Sequence, residues 1–263
     1  MSNHHELMPP LLAYHPVGGG KKSPLLKGLI SYWKLDETNG TRSDSRSNRT
    51  MSIQGSVGYD VGIMGNCVTF VTGAANYLTT ASDALLKNYN WSLGFTVAGW
   101  MYIPTAVDGR ATLLSKYSAG NTDWYLWLES STSFSFAIYD SVSGGVSKGS
   151  NEAISVDTWY FLTGRYNPTT KKAELLINAV SKGASDALPN VPKNSYSALA
   201  INRTGSTYGT CRIDGVGLWS RYLSDAEVSQ LYNSGAGLEY PFLGNAPIEA
   251  TEWYDGNTWY IAP

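Results

Sequence analysis

Charge is scarce in this chain. Only 15% of its 263 residues are Asp, Glu, Lys or Arg, against roughly 25% in ordinary soluble domains, and the formal net charge is -2. A surface without a basic field cannot displace the counterions of a nucleic acid, which excludes DNA and RNA as partners. Histidine is scarcer still. His4, His5 and His15 are the only three, so the body of the chain has no imidazole to act as general base for a Ser or Cys nucleophile. Two cysteines, Cys67 and Cys211, are too few for a disulfide framework or a thiolate metal cluster and read as buried thiols of a reducing compartment. No apolar run approaches the ~18 residues that would cross a bilayer. Pro9, Pro10 and Pro16 interrupt the leading segment, and no small-residue cleavage site follows it, so export by the general secretory route is not expected.

What the chain has instead is uncharged polarity. It holds 30 Ser, 21 Thr, 17 Asn and 27 Gly, a composition suited to short strands joined by tight turns. β-Branched and aromatic residues concentrate at 29–35, 68–72, 76–80, 95–103, 111–117, 123–129, 133–139, 158–166, 172–179, 198–203 and 211–219. Turn clusters at 118–121, 143–145 and 167–170 separate them. The pattern predicts an all-β fold, an antiparallel two-sheet sandwich. One helix is expected: Ser224 and Glu227 have capping-box spacing, Val228, Leu231 and Tyr232 share a face, and Gly235 offers a left-handed stop.

Both ends differ from the middle. Residues 1–27 read as an extended arm, proline-rich, then Gly18–Gly20, then lysines, with too little apolar surface for a core. Pro9, Leu11, Leu12, Tyr14, Lys21 and Lys22 are its candidate anchoring residues. Residues 241–263 form a tail in which Trp253, Tyr254, Trp259 and Tyr260 flank an Asp-Gly turn. That spacing predicts a hairpin offering further contact residues or covering a sheet edge. The domain proper is expected over 28–240.

Strand alternation places Tyr125, Trp127 and Glu129 on one face of their strand and Trp124, Leu126 and Leu128 on the other. A sugar needs an aromatic platform flanked by polar partners, which makes Tyr125, Trp127 and Glu129, with Tyr139 and Asp140 beside them, the candidate glycan-binding residues. Cross-strand packing is the alternative use for these rings. Trp33, Trp100, Trp159 and Trp219 read as core. Paired carboxylates at glycosidase spacing, Glu-x-Asp-x-x-Glu along a strand, are missing; Glu129 and Glu174 stand alone and are expected to face solvent. No catalytic residue is assigned.

The segments GLISYWKLDE (28–37), DSRSN (44–48), CVTFVTGAANYLTT (67–80), FTVAGWMYIP (95–104), DTWYFLTGRYN (157–167) and IDGVGLWSRYLSDAEVSQLYNSGAG (213–237) resemble, in order, those of laminin-G-like jelly-roll domains of the concanavalin A-like lectin and glucanase superfamily. The closing piece is most similar to the versions found in bacteriophage structural proteins. That resemblance implies a jelly roll with one concave and one convex sheet. It also implies a structural calcium ion near where the first and last strands meet, with Asp36, Asp44, Asn48 and Asp214 as oxygen ligands. Asx turns at Asp36 and Asp44, and a pair between Asp214 and Arg212 or Arg221, are the alternative. The function so implied is non-enzymatic: a module made in the bacterial cytoplasm, held on the virion surface among capsid or tail proteins or other copies of itself, and binding cell-surface polysaccharide. A free carbohydrate-binding module is the second reading and a glycoside hydrolase the third; no membrane partner is expected.

Overall fold

Each of the eleven expected strands forms, their β-branched and aromatic residues fitting the pleated, largely buried sheets. The computed structural model describes residues 23–71, 75–82, 89–104, 110–118, 121–130, 133–151, 153–243, 252–254 and 259–261. In chain order the strands are β1 (Leu29–Trp33), β2 (Ser52–Gln54), β3 (Gly58–Val61), β4 (Asn66–Phe70), β5 (Tyr77–Thr79) and β6 (Phe95–Ile103). There follow β7 (Thr112–Ser118), β8 (Asn121–Ser130), β9 (Ser133–Tyr139), β10 (Gly145–Gly149), β11 (Thr158–Asn167) and β12 (Lys172–Ile177). The domain closes with β13 (Val180–Ala187), β14 (Leu199–Ile201), β15 (Cys211–Trp219) and the helix α1 (Asp225–Tyr232). Two antiparallel sheets result. An eight-stranded sheet runs β13-β12-β11-β6-β15-β4-β3, with β1 also on β15, and a seven-stranded sheet runs β10-β9-β8-β7-β14-β5-β2. β2, β3, β10 and β13 are additional to the expected strands, and they are the four ends of these two rows.

The main core lies between the sheets. Phe95 on β6 meets Trp124 on β8 at 4.7 Å and Phe136 on β9 at 6.3 Å between ring centroids. Gly164 on β11 sits where a Cβ would stand 2.5 Å from the Phe136 ring, so this close approach of the sheets requires glycine. An ionic pair is buried in the interior: Lys116 Nζ lies 2.7 Å from Asp123 Oδ2, their side chains 2% and 0% exposed. Asp123 Oδ2 also accepts from the Ser195 amide.

A second apolar cluster covers the outer face of the eight-stranded sheet. Ala98, Trp100, Phe161, Leu176 and Trp219 point outward from it and are sealed by Val228 and Leu231 of α1, Leu25 before β1, and Phe242 near the end of the domain. The helix begins as expected, with the reciprocal Ser224–Glu227 capping box. Its stop differs: Asn233, at φ 49°, takes the left-handed position, because the short amide side chain tolerates that region and donates to Gly237 O. Trp33, Trp100 and Trp219 are buried as expected, while Trp159 is half-buried at the margin of this second cluster.

The domain boundaries move outward at both ends. Residues 23–27, expected in the arm, fold against the sandwich: Ser23 caps a 3-10 turn over Pro24–Leu26, Leu25 is buried, and Trp219 Nε1 donates to Leu25 O at 2.7 Å. Arg221 adds bonds to Lys27 O and Pro24 O. At the other end Phe242, expected in the tail, packs edge-on against Tyr32 at 5.3 Å. Within the described residues the compact unit runs over 23–243. Pro9, Leu11, Leu12, Tyr14, Lys21 and Lys22 lie outside the described residues. Of the tail hairpin, β16 (Glu252–Tyr254) and β17 (Trp259–Ile261) pair antiparallel, Trp253 opposite Tyr260 and Tyr254 opposite Trp259. Among the described residues no helix is long and apolar enough to cross a membrane.

Candidate functional site

With the outer face of the eight-stranded sheet sealed, the opposite outer face is the one left for display. Register fixes what it presents. Thr79, Ala200, Ser115, Tyr125, Ala137 and Ser147 stand directly opposite one another across β5, β14, β7, β8, β9 and β10. Thr112, Trp127 and Ser135 form part of the next row. Leu78, Leu126, Phe136 and Ile201 point the other way into the core, which confirms the alternation expected for 123–129. Small side chains thus flank Tyr125 and Trp127 on both sides, and those of Thr112, Ser115, Ser135 and Ala137 are themselves buried.

Three of the five candidate glycan residues come together. Tyr125 and Trp127 lie 4.5 Å apart between centroids, Tyr125 and Tyr139 5.9 Å, and the Tyr125 and Tyr139 hydroxyls hydrogen-bond at 3.0 Å. Burial and that hydroxyl contact push the Tyr125 phenol well above its ordinary range, so it stays a neutral donor and acceptor. Trp127 is not the open platform that alternation alone suggests. Its ring is only 7% exposed, because the Arg110 guanidinium lies over it at 4.8 Å and Tyr125 covers its flank. Its Nε1 is buried without a partner. Nothing in the sequence pattern singles out Arg110, which precedes β7 in a connection. Glu129 is exposed.

Asp140 does not join them. Its Oδ1 accepts from the Val142 and Ser143 amides, and its Oδ2 from the Ser143 hydroxyl and from Asn190 Nδ2. These donors, the Ser143 hydroxyl foremost, hold its carboxyl far below the usual range. Asp44 is bonded in the same pattern: Oδ1 accepts from the Arg46 and Ser47 amides and from Tyr32 N, and Oδ2 from the Ser47 hydroxyl. Asp44-Ser45-Arg46-Ser47 and Asp140-Ser141-Val142-Ser143 are one motif, Asp-Ser-x-Ser, making one turn twice.

The four residues implied as calcium ligands therefore divide among separate tasks. Asp44 caps its turn and Asn48 is exposed. Asp36 and Asp214 both brace the turn between β3 and β4, Asp36 Oδ1 accepting from Asn66 N, and Asp214 Oδ2 from the Ile63 and Met64 amides at 2.7 and 2.8 Å. Neither alternative partner reaches Asp214, since Arg212 pairs with Asp60 and Arg221 with Glu227. Among the described residues no three His, Cys, Asp or Glu gather as a metal-holding group. The residues present do not fit a calcium site, since Asp44 spends both oxygens on its own turn and on Tyr32 N, while Asp36 Oδ1 and Asp214 Oδ2 are turned to backbone N–H donors. Asp214 Oδ1 is buried and unpartnered. Burial, with the nearby Asp36 and Glu239 charges, pushes this carboxyl up to about 7. An acid raised in the folded state contributes stability that is full below its unfolded pKa near 3.8 and is lost as pH rises through about 7. Urea midpoints of wild type are accordingly expected to decline between pH 4 and 7 by an increment that Asp214→Asn removes.

Glu174 is not solvent-facing either. Arg165 Nε contacts it at 2.9 Å and the Tyr222 hydroxyl at 2.6 Å, so it is committed to an ion pair.

Two sheets, a sealed back and a polar, aromatic-bearing front set this domain beside known proteins. A profile described as the concanavalin A-like lectin/glucanases superfamily, of laminin G type, matches residues 72–229. The chain belongs to that superfamily. No curated protein matches. Among solved structures this concanavalin A-like domain is similar to the binding domain of Paraclostridial Mosquitocidal Protein 1, with a TM-score of 0.67 and 16% identity over 80% of this chain and 53% of that one. It is also similar to the receptor binding domain of botulinum neurotoxin type G, at 0.59 and 17% over 79% and 51%. A third similarity is to domain 4 of AbnA, a GH43 extracellular arabinanase of Geobacillus stearothermophilus solved with arabinotriose, at 0.59 and 15% over 76% and 96%. The chain spans about half the length of the two toxin domains. At these identities the likeness shows the fold, and the concanavalin A-like sandwich alone does not specify a ligand.

Proposed function

We propose that this concanavalin A-like domain is a non-enzymatic glycan-binding module, carried on a bacteriophage particle by its leading arm. The observation that carries the glycan reading is the asymmetry of the two outer faces. One is closed by α1, Leu25 and Phe242; the other presents Tyr125, Tyr139 and Arg110-capped Trp127 over small polar neighbours. The half-buried Tyr125 and Tyr139 rings, each ending in a hydroxyl, suit the alternating C–H and O–H surfaces of a sugar. A structural neighbour solved with arabinotriose supports the same chemistry. Display also suits the geometry. Residues 23–27 pack on the sealed face, so a support attached through them would stand behind the eight-stranded sheet and leave the aromatic face turned away from it.

The virion assignment rests on the resemblance of the closing helix segment to phage proteins and on the composition of the arm. The glycan assignment is tested on an array of bacterial polysaccharides. Wild type is expected to bind a subset, and Tyr125→Ala to weaken that binding about tenfold or more while leaving Tm unchanged to within a few degrees. Undiminished binding by Tyr125→Ala would move the site elsewhere.

A further inference from the structure

The same outer face carries a second aromatic cluster that the first does not use. On β5, Tyr77 points outward, opposite in sense to the core residue Leu78, and stacks on Tyr208 at 5.7 Å with the planes 25° from parallel. Arg203 lies over the Tyr77 ring at 4.6 Å, its Nε fixed by Gly205 O at 3.0 Å. The arrangement repeats that of Arg110 over Trp127 at 4.8 Å. Strand register puts the two on the same level of the sheet. Asn202, paired to the Thr112 carbonyl, follows Ile201, which is opposite Leu78, while Thr112 is opposite Trp127. Three strand spacings separate β5 from β8, about 14 Å. Between the two capped rings Thr112, Ser115 and Ala200 are buried; Thr112 bonds the Thr204 hydroxyl and Ser115 the Arg203 carbonyl, so the segment that carries Arg203 lies over them.

Neither guanidinium has a carboxylate at salt-bridge distance among the described residues, whereas Arg165, Arg212 and Arg221 each have one. A guanidinium held flat on an aromatic ring keeps its outward N–H groups available, and their fork matches a carboxylate in two parallel hydrogen bonds. We propose that the ligand of this face is a polyuronate, a carboxylate-bearing polysaccharide that lies across the sheet and places acid groups on Arg110 and Arg203 at once. The inference rests on the glycan-binding reading above and gives it a chemical class. It also makes Tyr77, Tyr208 and Arg203 binding residues. Two linked contacts reinforce each other through effective concentration, so affinity depends on chain length and disappears for a single sugar. Exposed Glu129, two residues beyond Trp127 on the same face, opposes an acidic ligand.

The test is titration of the full chain with polygalacturonate, alginate and hyaluronate and with their carboxyl-reduced forms. At least one polyuronate is expected to bind about tenfold or more tightly than its reduced form, with an advantage that shrinks as salt is raised. Arg203→Gln and Arg110→Gln are each expected to lose about tenfold, Arg203→Lys to recover only part of that loss, and Glu129→Gln to tighten binding. Melting curves of each variant establish that the domain is intact. Equal affinity for acid and reduced forms would overturn the polyuronate inference and leave a neutral glycan site standing. If array glycans bind but none of the three polyuronates does, the inference falls alone; if no glycan of any kind binds, it falls together with the reading beneath it.

Discussion

Asp123→Ala is expected to cost about 3–5 kcal/mol of folding stability, the range found when one member of a buried ion pair is removed. Its carboxylate is fully buried and lies 2.7 Å from the equally buried Lys116 ammonium, so the variant takes the carboxylate partner away from a cation that water cannot reach. At roughly 2–4 °C per kcal/mol for a domain of this size, Tm should fall by about 10 °C. Replacing both residues with apolar side chains, as Lys116→Met with Asp123→Leu, should cost much less, because no charge is then left in the interior. Urea denaturation of the three variants measures both effects. A midpoint for Asp123→Ala matching wild type would mean the pair does not form.

Truncation supplies the second large effect. Removing residues 1–27 is expected to destabilise the domain by about 3–5 kcal/mol more than removing residues 1–22. The five residues between them bury Leu25, worth about 2–3 kcal/mol, and supply the acceptor for the Trp219 indole, whose loss leaves a buried donor at about 1–3 kcal/mol. Equal melting of the two truncations would detach this segment from the sandwich. The distinction matters for the proposed anchoring role. Loss of particle incorporation in the longer deletion would mix a weakened fold with a missing tether, whereas the shorter deletion isolates the tether. Normal incorporation of a protein lacking residues 1–22 would overturn anchoring through the arm.

The sandwich was legible because its strands concentrate β-branched and aromatic residues: 95–103, 133–139 and 211–219 form strands with those bounds and are buried along nearly their whole length. The strands that escaped notice, β2, β3, β10 and β13, are the edges. An edge strand has one neighbour and a largely solvated surface, so sequences such as VSKGASDA carry almost no apolar signal. The face bearing Tyr125 and Trp127 was legible from period two alone. How much of each ring faces water was not, because Arg110 comes from a different segment. Acidic residues were the least legible. Asp44 and Asp140 suggested a metal ligand and a sugar contact, yet the serine three residues after each one captures the carboxylate locally. The repeated Asp-Ser-x-Ser string was the available signal, and it points to a turn before any ligand. Asp214 shows the opposite limit, since its partners Ile63 and Met64 lie 150 positions or more away in the chain.

The four polar edges also govern how copies of the molecule behave when crowded. Lys148 lies on β10 and Lys182 on β13, and Gly183 brings the two rims within contact of each other, a Cβ there meeting the Lys148 side chain at 3.4 Å. Ammonium groups at the rim disfavour extension of either sheet into a neighbour. Dense arrays of this protein should therefore stay as discrete particles, free of fibrous growth.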